Sequence, residues 1–211
     1  MLYKLSCSLI FVTLILLGTF TYVDVPFVSF LGPHLSNVNI VHEWSHITLG
    51  SYTTNFQIVA IILAALVLGP LWGTGTILLY LCLGFSGLPI FYYGGGLDYF
   101  SESTIMYLLS FVPSALLCGT LATHKSKNSV SVTQLFIASL LGLLVIHLVG
   151  GIYVSLFFHV IPIEFLFSYA FPQLFSQLLF ITIFVFLFKG LQSLLPPKST
   201  ETNIPLKRVE A

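Results

Sequence analysis

Charge is what this chain has least of. Seven Lys and Arg and seven Asp and Glu are spread over 211 residues, 7% of the total. A soluble domain carries about 25% charged residues, so these side chains are too few to coat a surface facing water. The net charge is zero, which removes the electrostatic footprint of a nucleic-acid binder. Cysteine is scarce too. Cys7, Cys82 and Cys118 lie inside apolar runs, odd in number and with neither disulfide nor metal spacing, so they read as small membrane-buried hydrophobes. A phosphate-binding loop is missing: Gly94-Gly95-Gly96 has no Lys-Ser or Lys-Thr after it. Any ATP hydrolysis that drives this protein therefore happens elsewhere. No Ser–His or Cys–His arrangement has a recognisable catalytic context, no catalytic residue is assigned, and no cofactor fingerprint is present.

What is abundant is apolar sequence, 57% of the chain, with a mean hydropathy of +1.02. A membrane-spanning helix needs about 20 mainly apolar residues. Six segments qualify, at roughly 5–23, 56–72, 74–93, 104–123, 134–160 and 165–195. The runs are continuous rather than alternating, which argues for helices over a β-barrel. The first segment lacks a small-residue cleavage site and reads as an uncleaved span. The expected fold is an all-α, multi-pass cell-membrane protein, with a single six-helix domain at 1–195 and a polar, disordered tail at 196–211. All Lys and Arg fall in three places: Lys4, then Lys125 and Lys127, then Lys189, Lys198, Lys207 and Arg208. With six spans these lie on one side, which the positive-inside rule makes cytoplasmic, together with both termini.

The segment 24–55 is then an external loop. It contains His42-Glu43-Trp44-Ser45-His46, a literal H-E-x-x-H. On a helix this pattern would place two zinc ligands on one face with Glu43 as general base. The flanks are rich in β-branched and turn residues, and a third ligand would have to be His34 or Asp24, neither at a recognised spacing. The blander reading is an interfacial loop with Trp44 at headgroup level, and no metal site is assigned.

The stretch from Gly84 to Ser110 is where irregular backbone meets polar side chains. Gly87 and Pro89 break an apolar segment, and Gly94-Gly95-Gly96 then open into Asp98 and a cluster of aromatics. Phe91, Tyr92, Tyr93, Tyr99 and Phe100 are candidate pocket walls; Asp98, Gln57, Tyr107 and the backbone at 94–96 are candidate polar contacts. Few polar side chains lie within the spans. Among them are Gln57, Tyr80, Tyr107, His147 and Gln177, and His147 is the ionisable one in mid-span, where such a residue is a functional candidate or interhelical glue. Ala60 and Ala64, then Ala65 and Gly69, follow small-xxx-small spacing, which suits close packing inside the protein or against a partner.

The run Gln57, Gly69-Pro70, Tyr80, Gly84, Gly87-Leu88-Pro89 and Phe91, continued by Gly94-Gly95-Gly96-Leu97 and Tyr107, resembles the BioY family, the biotin-binding S components of energy-coupling factor transporters. The variants around Gly94–Tyr99 and Gly142–Gly150 look most like its cyanobacterial branch. The resemblance implies a biotin pocket beneath the 94–103 loop, using Gln57, Tyr80, Phe91, Tyr93, Gly94, Gly95, Gly96, Asp98, Tyr107, His147 and Gln177. It also implies a transmembrane coupling subunit and an ATPase pair as partners. There are departures. Many members have Gly-Gly where this chain has Ile105-Met106, and many have Pro-Gly-Asp-x-x-Lys where it has Pro172-Gln173-Leu174-Phe175-Ser176-Gln177. An S component for another vitamin, a membrane zinc hydrolase built on His42, Glu43 and His46, and a purely structural membrane subunit are the alternatives.

Overall fold

The computed structural model describes residues 2–29, 39–44, 47–123, 130–159 and 171–194. Five helices run through them: α1 (Leu2–Phe20), α2 (Gln57–Phe85), α3 (Ile105–Thr123), α4 (Val132–Phe157) and α5 (Phe171–Leu194). The first four are long and apolar enough to cross a membrane. Large apolar side chains are exposed on every helix, among them Leu9 on α1, Leu71 on α2, Leu116 on α3, Ile152 on α4 and Ile183 on α5. Helices that are apolar on outward and inward faces alike belong in lipid. The basic residues between spans four and five and the tail at 196–211 lie outside the described residues.

Helix α2 is not one rod. Gly69 sits at φ 79°, ψ −176° inside it, and Pro70 follows with no N–H to give the ladder. A Cβ placed on Gly73 would lie 2.8 Å from the Cα of Ala65, and the Gln57 amide donates to the Tyr80 hydroxyl at 2.8 Å. In a straight helix residues 57 and 80 would be about 34 Å apart. The chain therefore doubles back at Gly69, and the arms 57–68 and 70–85 lie side by side. The tip is held against α3, where a Cβ on Gly119 would meet the Pro70 nitrogen at 2.5 Å. Ala64 and Ala65 are fully buried against Gly73, so this part of the small-residue pattern serves packing within the chain.

The expectation of an all-α protein is corrected by the segment after α1. Strands β1 (Tyr22–Ser29), β2 (Asn39–Trp44) and β3 (Ile47–Asn55) form an antiparallel sheet in the order β1-β3-β2. The register runs from Tyr22 opposite Asn55 to Ser29 opposite Thr48. Pro26 is tolerated because β1 is an edge strand. β-branched residues such as Val23, Val25, Thr53 and Thr54 suit a pleated surface. The sheet also overturns the helical H-E-x-x-H reading. His42, Glu43 and Trp44 are on a strand, while Ser45 and His46 lie outside the described residues.

The buried centre is built from Ile15, Ile61, Ile62, Ile77, Leu143, Ile146 and Ile181. Two polar side chains stitch α3 to α4 within it: Ser114 Oγ donates to the Gly142 carbonyl at 2.9 Å, and Cys118 Sγ to the Ala138 carbonyl at 3.1 Å. At one end of α4, Ser131 caps the helix by accepting from the Gln134 N–H. The Gln134 side-chain amide meanwhile donates to the Leu121 carbonyl on α3 at 2.6 Å. The bundle thus has a hinge end, with Gly69 and Gly119, and a rim end, with the sheet and the glycine-rich segment.

Candidate functional site

The rim begins where α2 stops. Pro89 has no N–H to extend the helix, and the chain turns back on itself. Phe91 and Gly94 exchange backbone hydrogen bonds at 2.8 and 3.1 Å, leaving Tyr92 and Tyr93 at the tip of a tight turn. The Gly96 N–H then donates to the Gly84 carbonyl at 2.8 Å, pinning the segment onto the last turn of α2. Glycine is required here for close approach. A Cβ on Gly95 would land on the Leu88 carbonyl oxygen, and one on Gly84 would enter the Phe91 ring. A single turn of 3-10 helix (Leu97–Ser101) leads on towards α3.

Beneath this segment the aromatics divide. Phe91 and Tyr99 are buried, 1% and 4% exposed, with ring centroids 4.9 Å apart. Phe91 also meets Tyr80 and Phe85 edge-on. Tyr92, Tyr93 and Phe100 are all more than half exposed. Tyr92 meets Tyr22 of β1 at 6.2 Å, which ties the sheet to the rim. The Tyr99 hydroxyl is 3.0 Å from Thr104 Oγ1, and burial pushes its phenol up from the ordinary value. Asp98 is exposed on the 3-10 turn, where its backbone carbonyl accepts from Ser101 Oγ. It is not gathered with the buried polar groups.

Those groups form two clusters towards the rim end. The first centres on the fully buried Tyr80. Its hydroxyl accepts from Gln57 Nε2 at 2.8 Å, donates to the Ile90 carbonyl at 3.2 Å and lies 3.3 Å from Thr19 Oγ1. The partnership joins α1, both arms of α2 and the rim. Thr19 is absent from the residues picked out by sequence; its signal is a hydroxyl in the last turn of α1, and Ser6, Ser8 and Thr13 on the same helix share that signal. The second cluster joins α3, α4 and α5. His147 Nε2 and Gln177 Oε1 are 2.9 Å apart, and the Tyr107 ring stands edge-on to the imidazole at 6.1 Å. Gly150 makes room for that ring, since a Cβ there would enter it. Phe56 at the start of α2 packs on Phe180 of α5 at 4.9 Å, closing the wall beside the clusters.

Of the residues singled out by sequence, Gln57 and Tyr80 are brought together with Phe91, and Tyr107 with His147 and Gln177. Gly94, Gly95 and Gly96 shape the rim above Phe91. Tyr93 and Asp98 face outward. Among the described residues, no group of three or more His, Cys, Asp or Glu side chains is placed to hold a metal ion.

A family model described as the BioY family matches residues 3–197. A protein of Pyrococcus horikoshii named as a probable biotin transporter BioY is 34% identical over 112 residues, 53% of this chain and 64% of that protein. One of Lysinibacillus sphaericus with the same name is 34% identical over 94 residues, 44% of this chain and 47% of its own length. The biotin transporter BioY of Thermotoga maritima is 31% identical over 121 residues, 57% of this chain and 69% of the relative. The aligned stretches thus span between about half and two thirds of these relatives. Among solved structures, the crystal structure of an S-component for biotin from an ECF-type ABC transporter superposes with a TM-score of 0.66 at 19% identity, covering 91% of this chain and 92% of that one. At that identity the likeness is one of fold.

Proposed function

The chain belongs to the BioY family, and from that premise we propose that it is the substrate-binding membrane component of a vitamin uptake transporter, capturing biotin from the outer side of the cell membrane. The family match over residues 3–197 carries this reading. Biotin has an apolar bicycle and chain and one polar ureido edge. Such a ligand suits an aromatic-lined pocket with a few fixed polar groups. Phe91 and Tyr99 supply buried aromatic surface, and Gln57, Tyr80, Tyr107, His147 and Gln177 supply the polar groups. Gly94, Gly95 and Gly96 form the roof, with Tyr93 and Asp98 at the mouth. The role is binding rather than catalysis. With no phosphate-binding loop in the sequence, uptake depends on a transmembrane coupling subunit and an ATPase pair.

The same reading counts six spans in one domain, 1–195, with both termini and the tail 196–211 cytoplasmic. The doubled-back α2 supplies two of the six. Its arms are about 18 and 24 Å long at about 1.5 Å per residue. Both are shorter than the roughly 30 Å hydrocarbon core, a mismatch met by local thinning or by the flanking rim and hinge. Lys4 near the start of α1 and Lys189 near the end of α5 lie at the helix ends away from the rim clusters, which supports this orientation.

Equilibrium binding of tritiated biotin to the purified protein, with competition by a panel of vitamins, tests the proposal. Saturable biotin binding that other vitamins do not displace is expected. Displacement by another vitamin would move the assignment to an S component for that compound, an outcome favoured by Leu174 and Gln177 standing where many members carry Asp and Lys. No binding to any member of the panel would remove the reading.

A further inference from the structure

Helices α4 and α5 touch at the rim end, where His147 and Gln177 are 2.9 Å apart. From His147 to Ser139 on α4, and from Gln177 to Val185 on α5, is about 12 Å towards the hinge end. There the two antiparallel helices part. A groove of about 330 Å³ opens between them, lined by Val132, Phe136 and Ser139 of α4 and by Ile181, Val185 and Phe186 of α5. Ser139, Ile181 and Val185 are buried, while Phe136 and Phe186 stand exposed, so the groove opens to the outside of the bundle. Thr182 lines it as well. The hydroxyl hydrogens of Ser139 and Thr182 are spent within their own helices, on the Leu135 and Leu178 carbonyls, each at 2.7 Å. Apolar voids hold no water, and walls without partner atoms forfeit dispersion contacts. A flexible hydrocarbon chain fills such a gap.

The hinge end of the groove is basic. Lys189 lies one turn beyond Val185 and Phe186, on the same face of α5. Val132 and Thr133 open the first turn of α4, where the helix dipole is positive. The antiparallel register brings Lys189 level with the start of α4. Among the described residues the acidic ones are Asp24, Glu43, Asp98 and Glu102, all on the sheet or beside the rim, so none of them offsets the charge at the hinge end. We propose that this groove binds an anionic phospholipid, with an acyl chain between α4 and α5 and the phosphate at Lys189 beside the start of α4. Basic recesses between spans at headgroup level bind such lipids. A lipid keeps its chain in the hydrocarbon core and its headgroup at the interface, which matches a groove that is apolar along its length and basic at the helix ends. A zwitterionic lipid would gain the same chain contacts without the charge attraction. The groove is separate from the rim clusters, so its occupant does not depend on the ligand proposed for the rim.

Native mass spectrometry of the full-length protein released from detergent reads the site, using phosphatidylglycerol and phosphatidylcholine with identical acyl chains. Wild type is expected to retain one phosphatidylglycerol in preference to phosphatidylcholine by about fivefold, the worth of one basic side chain at an anionic headgroup. Lys189→Gln should bring that ratio close to one, and Lys189→Arg should keep it. Lys4→Gln removes a hinge-end lysine on α1, away from the groove, and should leave the ratio as in wild type. Thr182→Trp fills the groove and should lower retention of both lipids. The ratio is read only on protein that binds lipid, so partial misfolding of a variant does not hide the result. A preference absent from wild type, or unchanged in Lys189→Gln, would overturn the proposal. So would a second copy or another membrane protein seated in the groove, seen as an assembly that carries no lipid and that Thr182→Trp dissociates.

Discussion

Tyr80 and Gly95 show how much single side chains decide at the rim end. The Tyr80 hydroxyl is shared by Gln57, Thr19 and Ile90, and the side chain is fully buried. Tyr80→Phe keeps the ring and strips the partner from the buried Gln57 amide. The expected cost is about 1–3 kcal/mol, seen as a lower midpoint of thermal unfolding in detergent together with weaker biotin binding. Gly95→Ala acts by volume instead, because its Cβ would land on the Leu88 carbonyl oxygen. Overpacking costs about 1–3 kcal/mol. Biotin affinity is expected to drop about tenfold or more; unchanged affinity would mean that the rim does not shape the site. Several of these residues were legible one by one, since Gln57, Tyr80, His147 and Gln177 are polar in apolar runs. Their pairing was not. His147 and Gln177 are 30 positions apart, and no local pattern says which neighbouring helix a buried amide will meet.

At the level of elements, the break inside α2 was legible as the gap between the apolar segments 56–72 and 74–93; the chain turns slightly earlier, at Gly69, where Gly69-Pro70 combines free backbone torsions with a missing donor. Hydropathy alone would have given one long helix. Gly69→Ala places a Cβ where φ is +79° and ψ −176°, a region essentially reserved for glycine, and should cost about 1–3 kcal/mol. Gly119→Val drives a side chain into Pro70 and should cost about 1–3 kcal/mol. The two changes act at one contact, so the double variant is expected to lose less than the sum of the singles, measured by thermal unfolding. The sheet was harder to foresee. Tyr22 to Ser29 alternates only loosely, Pro26 interrupts it, and in a chain this apolar a short segment between spans reads as a loop. The β-branched residues around His42 argued against a helix there, but a strand needs partners. Those lie across the sheet, with Glu43 opposite Thr48.

For the whole molecule, the contacts fit an up-and-down path: Gly18 of α1 packs on Phe56 and Gln57 and Gly150 of α4 on Tyr107 at the rim end, while Gly119 of α3 packs on Gly69 and Pro70 at the hinge end. The proposed orientation puts Tyr93 outside and Gly69 inside. Single cysteines at Tyr93 and Leu71 in a cysteine-free background should then label differently. The Tyr93 site should react in intact cells with a membrane-impermeant maleimide, and the Leu71 site only after permeabilisation; the reverse order would invert the topology. The central claim, that the rim end of this bundle holds biotin, is tested most directly by mass spectrometry of the small molecule retained by wild-type protein purified from biotin-fed cells and compared with Tyr80→Phe. The account predicts biotin at close to one per chain in wild type and less in the variant; a different retained vitamin, or equal biotin in both proteins, would contradict it.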